Sequence, residues 1–234
     1  MRERKVNLNR KKAITLVMAL SYLLFPTCLS AQNVTKKSLT KRHETMMNRA
    51  DSMIVNQLRK KGVHFSHNNS VTLLTTGKDK FNDLFKAIDQ ARSSIHLEYF
   101  NFRNDSINEE LIRHLAAKVK DGVEVRAVFD GFGNASNNRP MKKRHLKSIR
   151  EKGIEIYEFK PMAFPWLHDI FNRDHRKIVI IDGKVAYTGG MNVADYYING
   201  TKVVGSWHDM HCRIEGDEVN TLQNIFLRMW YLAS

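Results

Sequence analysis

The sequence predicts an α/β fold in which a mixed, mostly parallel sheet is flanked by helices, occupying residues 71–234. Two observations predict it. Short apolar runs with strand character alternate with stretches of helical spacing from Val71 onward, and that alternation builds layered α/β domains. An Asp182-Gly183 step between two such runs inserts an antiparallel hairpin, which makes the sheet mixed.

The elements follow in order. VTLLT (71–75) reads as a strand and Asp79–Arg92 as an amphipathic helix. SIHLEYFNF (94–102) is the next strand, Ile107–Lys120 the next helix, and VEVRAVFD (123–130) a third strand running into the Gly-rich GFGNASNN. Met141–Lys152 is helical and is stopped by Gly153, after which IEIYEF (154–159) returns as a strand. An irregular stretch with Pro161, Pro165 and Trp166 precedes the hairpin formed by HRKIVIID and KVAYTGG. WHDMHCRIEG supplies one more strand, and Asp217 is placed to cap a closing helix, Glu218 to Leu232.

Two segments lie ahead of this domain. Residues 1–12 hold six basic side chains against the single acid Glu3, and a 13-residue apolar run, Ala13–Phe25, follows. This is the pattern of an export signal, ending near Ala31; the run falls short of the roughly 20 residues that span a bilayer. The signal is removed or stays as an uncleaved tether, and either outcome places the protein outside the cytoplasm, periplasmic or associated with the cell membrane. Residues 32–70 form a helical lead-in in which Met46, Met47, Ala50, Met53, Ile54, Gln57 and Leu58 recur at helical spacing, as residues that pack do.

Composition narrows the function classes. With 42% hydrophobic and 26% charged residues the chain is neither disordered nor collagen-like. A net charge of +14 favours anionic partners: lipid headgroups, nucleic acid or phosphorylated metabolites. Without residues 1–31 the charge is still +9. Cys28 falls in the signal, leaving Cys212 without a partner for a bridge, and its setting in MHCRIEG reads as a structural thiol. No Cys/His cluster has zinc spacing, and no cofactor or metal is expected.

The chemistry lies in NRDHRKIVIIDGKVAYTGGMN, residues 172–192. Positions two apart on a strand share a face, so His175 and Lys177 point the same way while Ile178 and Ile180 enter the core. An imidazole beside a fixed ammonium suits phosphoryl transfer, one as nucleophile or base and the other against non-bridging oxygens. Gly189 and Gly190 let backbone approach a ligand closely, and Asn192 can donate to a phosphate oxygen. His145-x-Lys147 repeats the pair in a helical run, yet Lys152 stands where an acid would be needed. Asp182 stands at that position seven after His175, either as part of the site or as the first residue of a DG turn.

The pattern His175-x-Lys177-x4-Asp182 followed by Gly189-Gly190-x-Asn192 resembles that of the phospholipase D superfamily, and within it the bacterial cardiolipin synthases. The likeness extends to residues 87–105, 121–133 and 207–219, and covers roughly Val71 to the C-terminus, the first catalytic half of such a synthase. It implies a phospholipase D-like half-domain and a two-step reaction through a phosphohistidine. In this reading His175 is the nucleophile or its acid–base partner, Lys177 and Asn192 hold the phosphate, and Asp209 orients an imidazole. Donor and acceptor would both be phosphatidylglycerol, and the products cardiolipin and glycerol. Family sites pair two motifs, and this chain carries one. The expected partners are therefore an anionic phospholipid, a membrane surface, and a second copy or a separate half bearing the other motif. A dimeric nuclease or phosphodiesterase is the rival enzyme, although no aromatic-basic platform favours nucleic acid. An inactive half that only binds anionic membranes is the non-enzymatic rival.

Overall fold

The computed structural model describes residues 49, 51–66, 68–162, 171–203 and 205–234. The chain divides into two units, residues 1–65 and 66–234. In the first, residues 51–60 are helical, and Met53, Ile54 and Leu58, expected to pack, are exposed. The export segment, Met46 and Met47 lie outside the described residues.

The second unit is a seven-stranded sheet: β1 (Asn69–Leu74), β2 (Ser94–Tyr99), β3 (Glu124–Asp130), β4 (Glu155–Phe159), β5 (Lys177–Ile181), β6 (Val185–Gly189) and β7 (His211–Gly216), in the order β1-β7-β6-β5-β2-β3-β4. The sheet is mixed as expected, but the balance differs. β2–β3 and β3–β4 are parallel pairs, while β1–β7, β7–β6, β6–β5 and β5–β2 are antiparallel. The reason is the hairpin. β5 enters beside β2 in the opposite direction, and every later pairing continues by reversal.

Among the described residues six helices accompany the sheet: α1 (Gly77–Gln90), α2 (Ser106–Lys120), α3 (Gly131–Ala135), α4 (Lys143–Arg150), α5 (Tyr196–Asn199) and α6 (Glu218–Ala233). In α1 the buried Phe81, Leu84, Phe85 and Ile88 repeat at the three- and four-residue spacing of one helical face, and the Thr76 hydroxyl caps the start by accepting from the Asp79 amide at 3.0 Å. α3 forms where a Gly-rich loop was expected, because Asp130 accepts from the Phe132 and Gly133 amides and starts a turn. The expected cap at Asp217 is absent. Asp217 is itself in a helical conformation, and Asn69 Oδ1 accepts from the Glu218 amide at 2.8 Å instead.

Each face of the sheet carries an apolar layer. Val179 and Ile181 belong to the larger cluster with α1 and α2, whereas Ile178 and Ile180 pack with Val219, Phe226 and Met229 of α6. β5 is therefore buried on both faces, and truncating any of its isoleucines to alanine should cost about 2–5 kcal/mol. Cys212 sits in β7 as a half-buried free thiol.

Candidate active site

β5 runs against β2, so its first residue, Lys177, lies opposite the last residue of β2, Tyr99. This brings the start of β5 to the edge where β2, β3 and β4 end. His175, just ahead of Lys177, is exposed, and its ring meets the edge of Phe100 with centroids 4.6 Å apart. Phe100 in turn sits against α3: a Cβ on Gly133 would lie 1.9 Å from the Phe100 carbonyl oxygen. Lys177 is buried, and its ammonium donates to the His175 carbonyl oxygen at 2.6 Å. His175 precedes β5, and the Lys177 side chain reaches its backbone, so the expected sharing of a strand face by the two side chains is not what joins them.

The electrostatics suit a neutral imidazole beside a cation. Burial, reinforced by the Lys177 charge, holds the His175 pKa below its ordinary 6.5, against the pull of Asp174 and Asp130. Burial lowers Lys177 to about 8 although Asp174 and Asp209 oppose it, so the ammonium form prevails at neutral pH.

Beneath this pair lies a buried acidic cluster that the sequence reading did not single out. Arg176 Nε lies 2.9 Å from both Glu98 Oε1 and Asp174 Oδ1, and Glu98 is fully buried. Burial, followed by the neighbouring Asp174 carboxylate, raises Glu98 to about 8 despite Arg176, so the protonated form of Glu98 prevails at neutral pH. Asp130, also fully buried, accepts from the Asp174 amide at 2.9 Å. The segment carrying His175 is held by acids on β2 and β3. The signal in the sequence was Glu98 itself, a carboxylate inside the apolar run SIHLEYF.

The other expected residues fall into place differently. Asp182 lies at the far end of β5, five strand residues or about 16 Å from the His175 end. Its carboxylate accepts from the amides of Arg92, Ser93 and Ser94 and from the Ser93 hydroxyl at 2.7–3.1 Å. Asp182 and Gly183 both have positive φ, 54° and 62°, within the three-residue connection 182–184 that pairs Ile181 with Val185. Asp182 is a structural anchor and does not enter the site.

Gly189 and Gly190 were expected to admit a ligand, and the structure gives that space to β7. A Cβ on Gly190 would lie 2.0 Å from Asp209 Oδ1, and one on Gly189 would lie 2.6 Å from the His211 Cα. Asp209 thereby reaches the edge of the site, where its charge acts on Lys80 and Lys177. Its carboxylate accepts from the Met210 amide at 2.7 Å, and the expected imidazole–carboxylate pair with His175 is not formed among the described residues. Asn192 is buried: its oxygen accepts from the Asn101 amide at 3.1 Å, and its nitrogen donates to the Tyr197 hydroxyl at 3.2 Å. It braces the exit of β2 against the turn after β6, in place of the expected phosphate contact.

Two further residues escaped the sequence reading. Lys80 is fully buried and donates to the Met191 and Asn192 carbonyls at 3.3 and 3.1 Å, with burial holding its pKa well down. His211 is buried, and among the described residues neither ring nitrogen has a hydrogen-bond partner. Burial, with Lys80 and Lys177 nearby, keeps it neutral.

The family profile described as "Cardiolipin synthase, PLD-like domain" matches residues 84–230, which include His175, Lys177, Asp209 and His211 but begin after Lys80. The chain belongs to this family. Cardiolipin synthase 1 of Bacillus cereus is 42% identical over 163 residues, covering 69% of this chain and 31% of that protein. Cardiolipin synthase 2 of Staphylococcus epidermidis is 40% identical over 163 residues, 69% of this chain and 33% of that protein. The chain therefore spans about a third of the length of these relatives. Among solved structures, the phospholipase D family member Nuc from Salmonella typhimurium superposes with a TM-score of 0.53 at 18% identity, over 71% of this chain and 97% of that one. NucT from Helicobacter pylori gives 0.54 at 16% identity, over 71% and 98%. These two show the phospholipase D-like fold.

Proposed function

We propose that this phospholipase D-like chain supplies one histidine–lysine half of a phosphatidyl-transfer site acting on phosphatidylglycerol. The observation that carries the reading is the neutral, exposed His175 held against Phe100 with the buried Lys177 ammonium bonded to its carbonyl oxygen. The 42% identity to a cardiolipin synthase supports the substrate class.

In this reading a ring nitrogen of His175 attacks phosphorus, and the P–O bond to the headgroup glycerol breaks. A general acid gives its proton to the departing oxygen. The hydroxyl of a second phosphatidylglycerol then attacks the phosphohistidine and returns its proton to that group. The P–N bond breaks, leaving cardiolipin, glycerol and free His175. Lys177 offsets the charge that builds on the non-bridging oxygens. One imidazole cannot act as nucleophile and leaving-group acid in a single pose, so the second group comes from another copy or a separate motif-bearing half. Export, supported by the basic and apolar pattern of residues 1–31, places this chemistry outside the cytoplasm. N-terminal sequencing of the cell-envelope fraction tests the export; an intact Met1 on a cytosolic protein would count against it.

Sedimentation and glycerol release from phosphatidylglycerol, followed together over a dilution series, test the transfer reading. Activity should appear with the two-motif assembly and vanish in His175→Ala. Constant activity per chain from a demonstrated monomer would refute the two-motif requirement. Cleavage of nucleic acid without lipid transfer would replace the phosphatidyl reading with a nuclease.

A further inference from the structure

α2 and α4 border two adjoining hollows outside the His175 centre. One, of about 390 Å³, is lined by Asn104, Asn138, Arg139, Lys142, Arg144 and His145, and no acidic side chain lines it. The other, of about 280 Å³, is floored by the buried Ile112, Met141 and Ile149, is also lined by the charged Glu109, Arg113 and Lys152, and shares Asn104 and His145 with the first. A cationic cavity that opens into an apolar groove has the layout of a lipid: charge at one end, hydrocarbon at the other.

We propose that this corner binds one anionic phospholipid, its phosphodiester in the basic cavity and the adjacent part of its chains in the groove. The inference rests on the phosphatidyl-transfer reading for the choice of lipid. Two guanidinium groups suit phosphate, since each presents donors in a planar fork. His145 sharpens the demand for an acceptor. Its Nδ1 faces the Lys142 amide at 3.2 Å and its Nε2 faces Arg144 Nε at 3.1 Å. Burial, Arg144 and Lys142 all keep this ring neutral, and a neutral imidazole has one acceptor nitrogen for those two donors. One donor is left seeking another oxygen.

Position favours the same lipid surface that feeds the His175 centre. Asn104 follows β2, Arg139 follows β3, and they are joined by the Asn104 amide donating to the Arg139 carbonyl at 2.8 Å. Both therefore belong to the sheet edge from which His175 projects. Nucleic acid fits less well, because no Phe, Tyr or Trp lines either hollow to stack a base.

The test is co-sedimentation of the full chain with vesicles of phosphatidylcholine alone or mixed equally with phosphatidylglycerol. Arg139→Gln/Lys142→Gln/Arg144→Gln should weaken binding to the mixed vesicles about tenfold or more. Lys86→Gln/Lys120→Gln/Lys184→Gln, which removes the same charge from exposed positions that line neither hollow, should weaken it less than about threefold. Equal losses in the two triple variants would reduce the effect to bulk charge and overturn the proposal. Dihexanoyl phosphatidylglycerol, titrated on the wild-type chain below its micelle threshold, should bind about tenfold more tightly than glycerol phosphate, because only the lipid can occupy the groove. Equal affinities would overturn it without any variant being made. Tighter binding of duplex DNA, lost in the first triple variant, would assign the corner to nucleic acid. His175→Ala should bind as the wild type does, and a loss matching the first triple variant would return the lipid to the His175 centre. Binding that persists without turnover would sink the transfer reading alone.

Discussion

The Asp182 carboxylate accepts the Ser93 amide at 2.7 Å and the Ser93 hydroxyl at 2.9 Å, at the end of β5 remote from His175. Partial burial opposes its ionisation, yet the amides of Ser93, Ser94 and Arg92 prevail and hold its pKa below 3.8. Asp182→Ala should therefore cost about 1–3 kcal/mol of stability, because several backbone donors lose a charged acceptor. A depressed carboxyl pKa stabilises the fold above the ordinary value of 3.8, and the gain is lost as pH falls through the depressed value. Urea denaturation from pH 3 to 7 should show the wild type's advantage over Asp182→Asn shrinking on acidification. Turnover per folded molecule should survive in Asp182→Asn and not in His175→Ala; matching losses would return Asp182 to the chemistry.

Lys177 and His175 set opposite limits on the working pH. The nucleophile must be neutral and the lysine charged, so the rate should rise through a pKa below 6.5 and fall again near 8. Lys177→Arg should move the alkaline limb upward at some loss of rate, and Lys177→Met should lower kcat by about 10²–10³. An alkaline limb unmoved in Lys177→Arg would show that another group titrates there.

Glu98 should make stability depend on pH in the opposite sense from Asp182. Its pKa is raised from 4.5 to about 8, so between those values the folded state binds more protons than the unfolded chain. Stability then falls as pH rises, by up to about 1.4 kcal/mol per unit. Glu98→Gln, uncharged throughout, should gain on the wild type steadily from pH 5 to 8. Parallel stability curves for the two proteins would show that Glu98 is ionised at neutral pH.

Gly190→Ala should displace the Asp209 carboxylate, whose oxygen stands 2.0 Å from the added Cβ position. We expect a clear loss of activity, with stability restored in Gly190→Ala/Asp209→Ala. Gly189→Ala meets backbone at Met210 and His211 and should be destabilising whatever Asp209 becomes. Thermal unfolding of the three variants checks this. A double variant no more stable than Gly190→Ala would mean that the glycine serves something other than Asp209.

The elements were legible because their signals are local. The alternation in VEVRAVFD, the helix stop at Gly153 and the Asp182-Gly183 turn each depend on a few neighbouring residues. The closeness of His175 and Lys177 in space follows from their closeness in sequence, although His175 stands ahead of β5 and the bond runs to its backbone carbonyl. What stayed hidden depended on contacts distant in sequence. Strand directions followed from β5 lying beside β2, 83 residues earlier at their first positions. Lys80 and His211 read as ordinary polar positions until the fold buried them together. Gly189 and Gly190 announced a close approach without saying by what.

The fixed interval between His175 and Asp182 acquires a mechanical meaning from β5. One end of the strand presents the reactive imidazole, while the other is tied to the corner where α1 gives way to β2. The interval acts as a ruler cut to the width of the sheet rather than as a distance between reacting partners. Inserting a single residue within Lys177–Ile181 would turn Ile178 and Ile180 toward α1 and bring the neighbouring side chains under α6. It would also pull the anchor or the imidazole out of place. A chain can exchange isoleucine for valine along this strand freely, but it cannot change the strand's length.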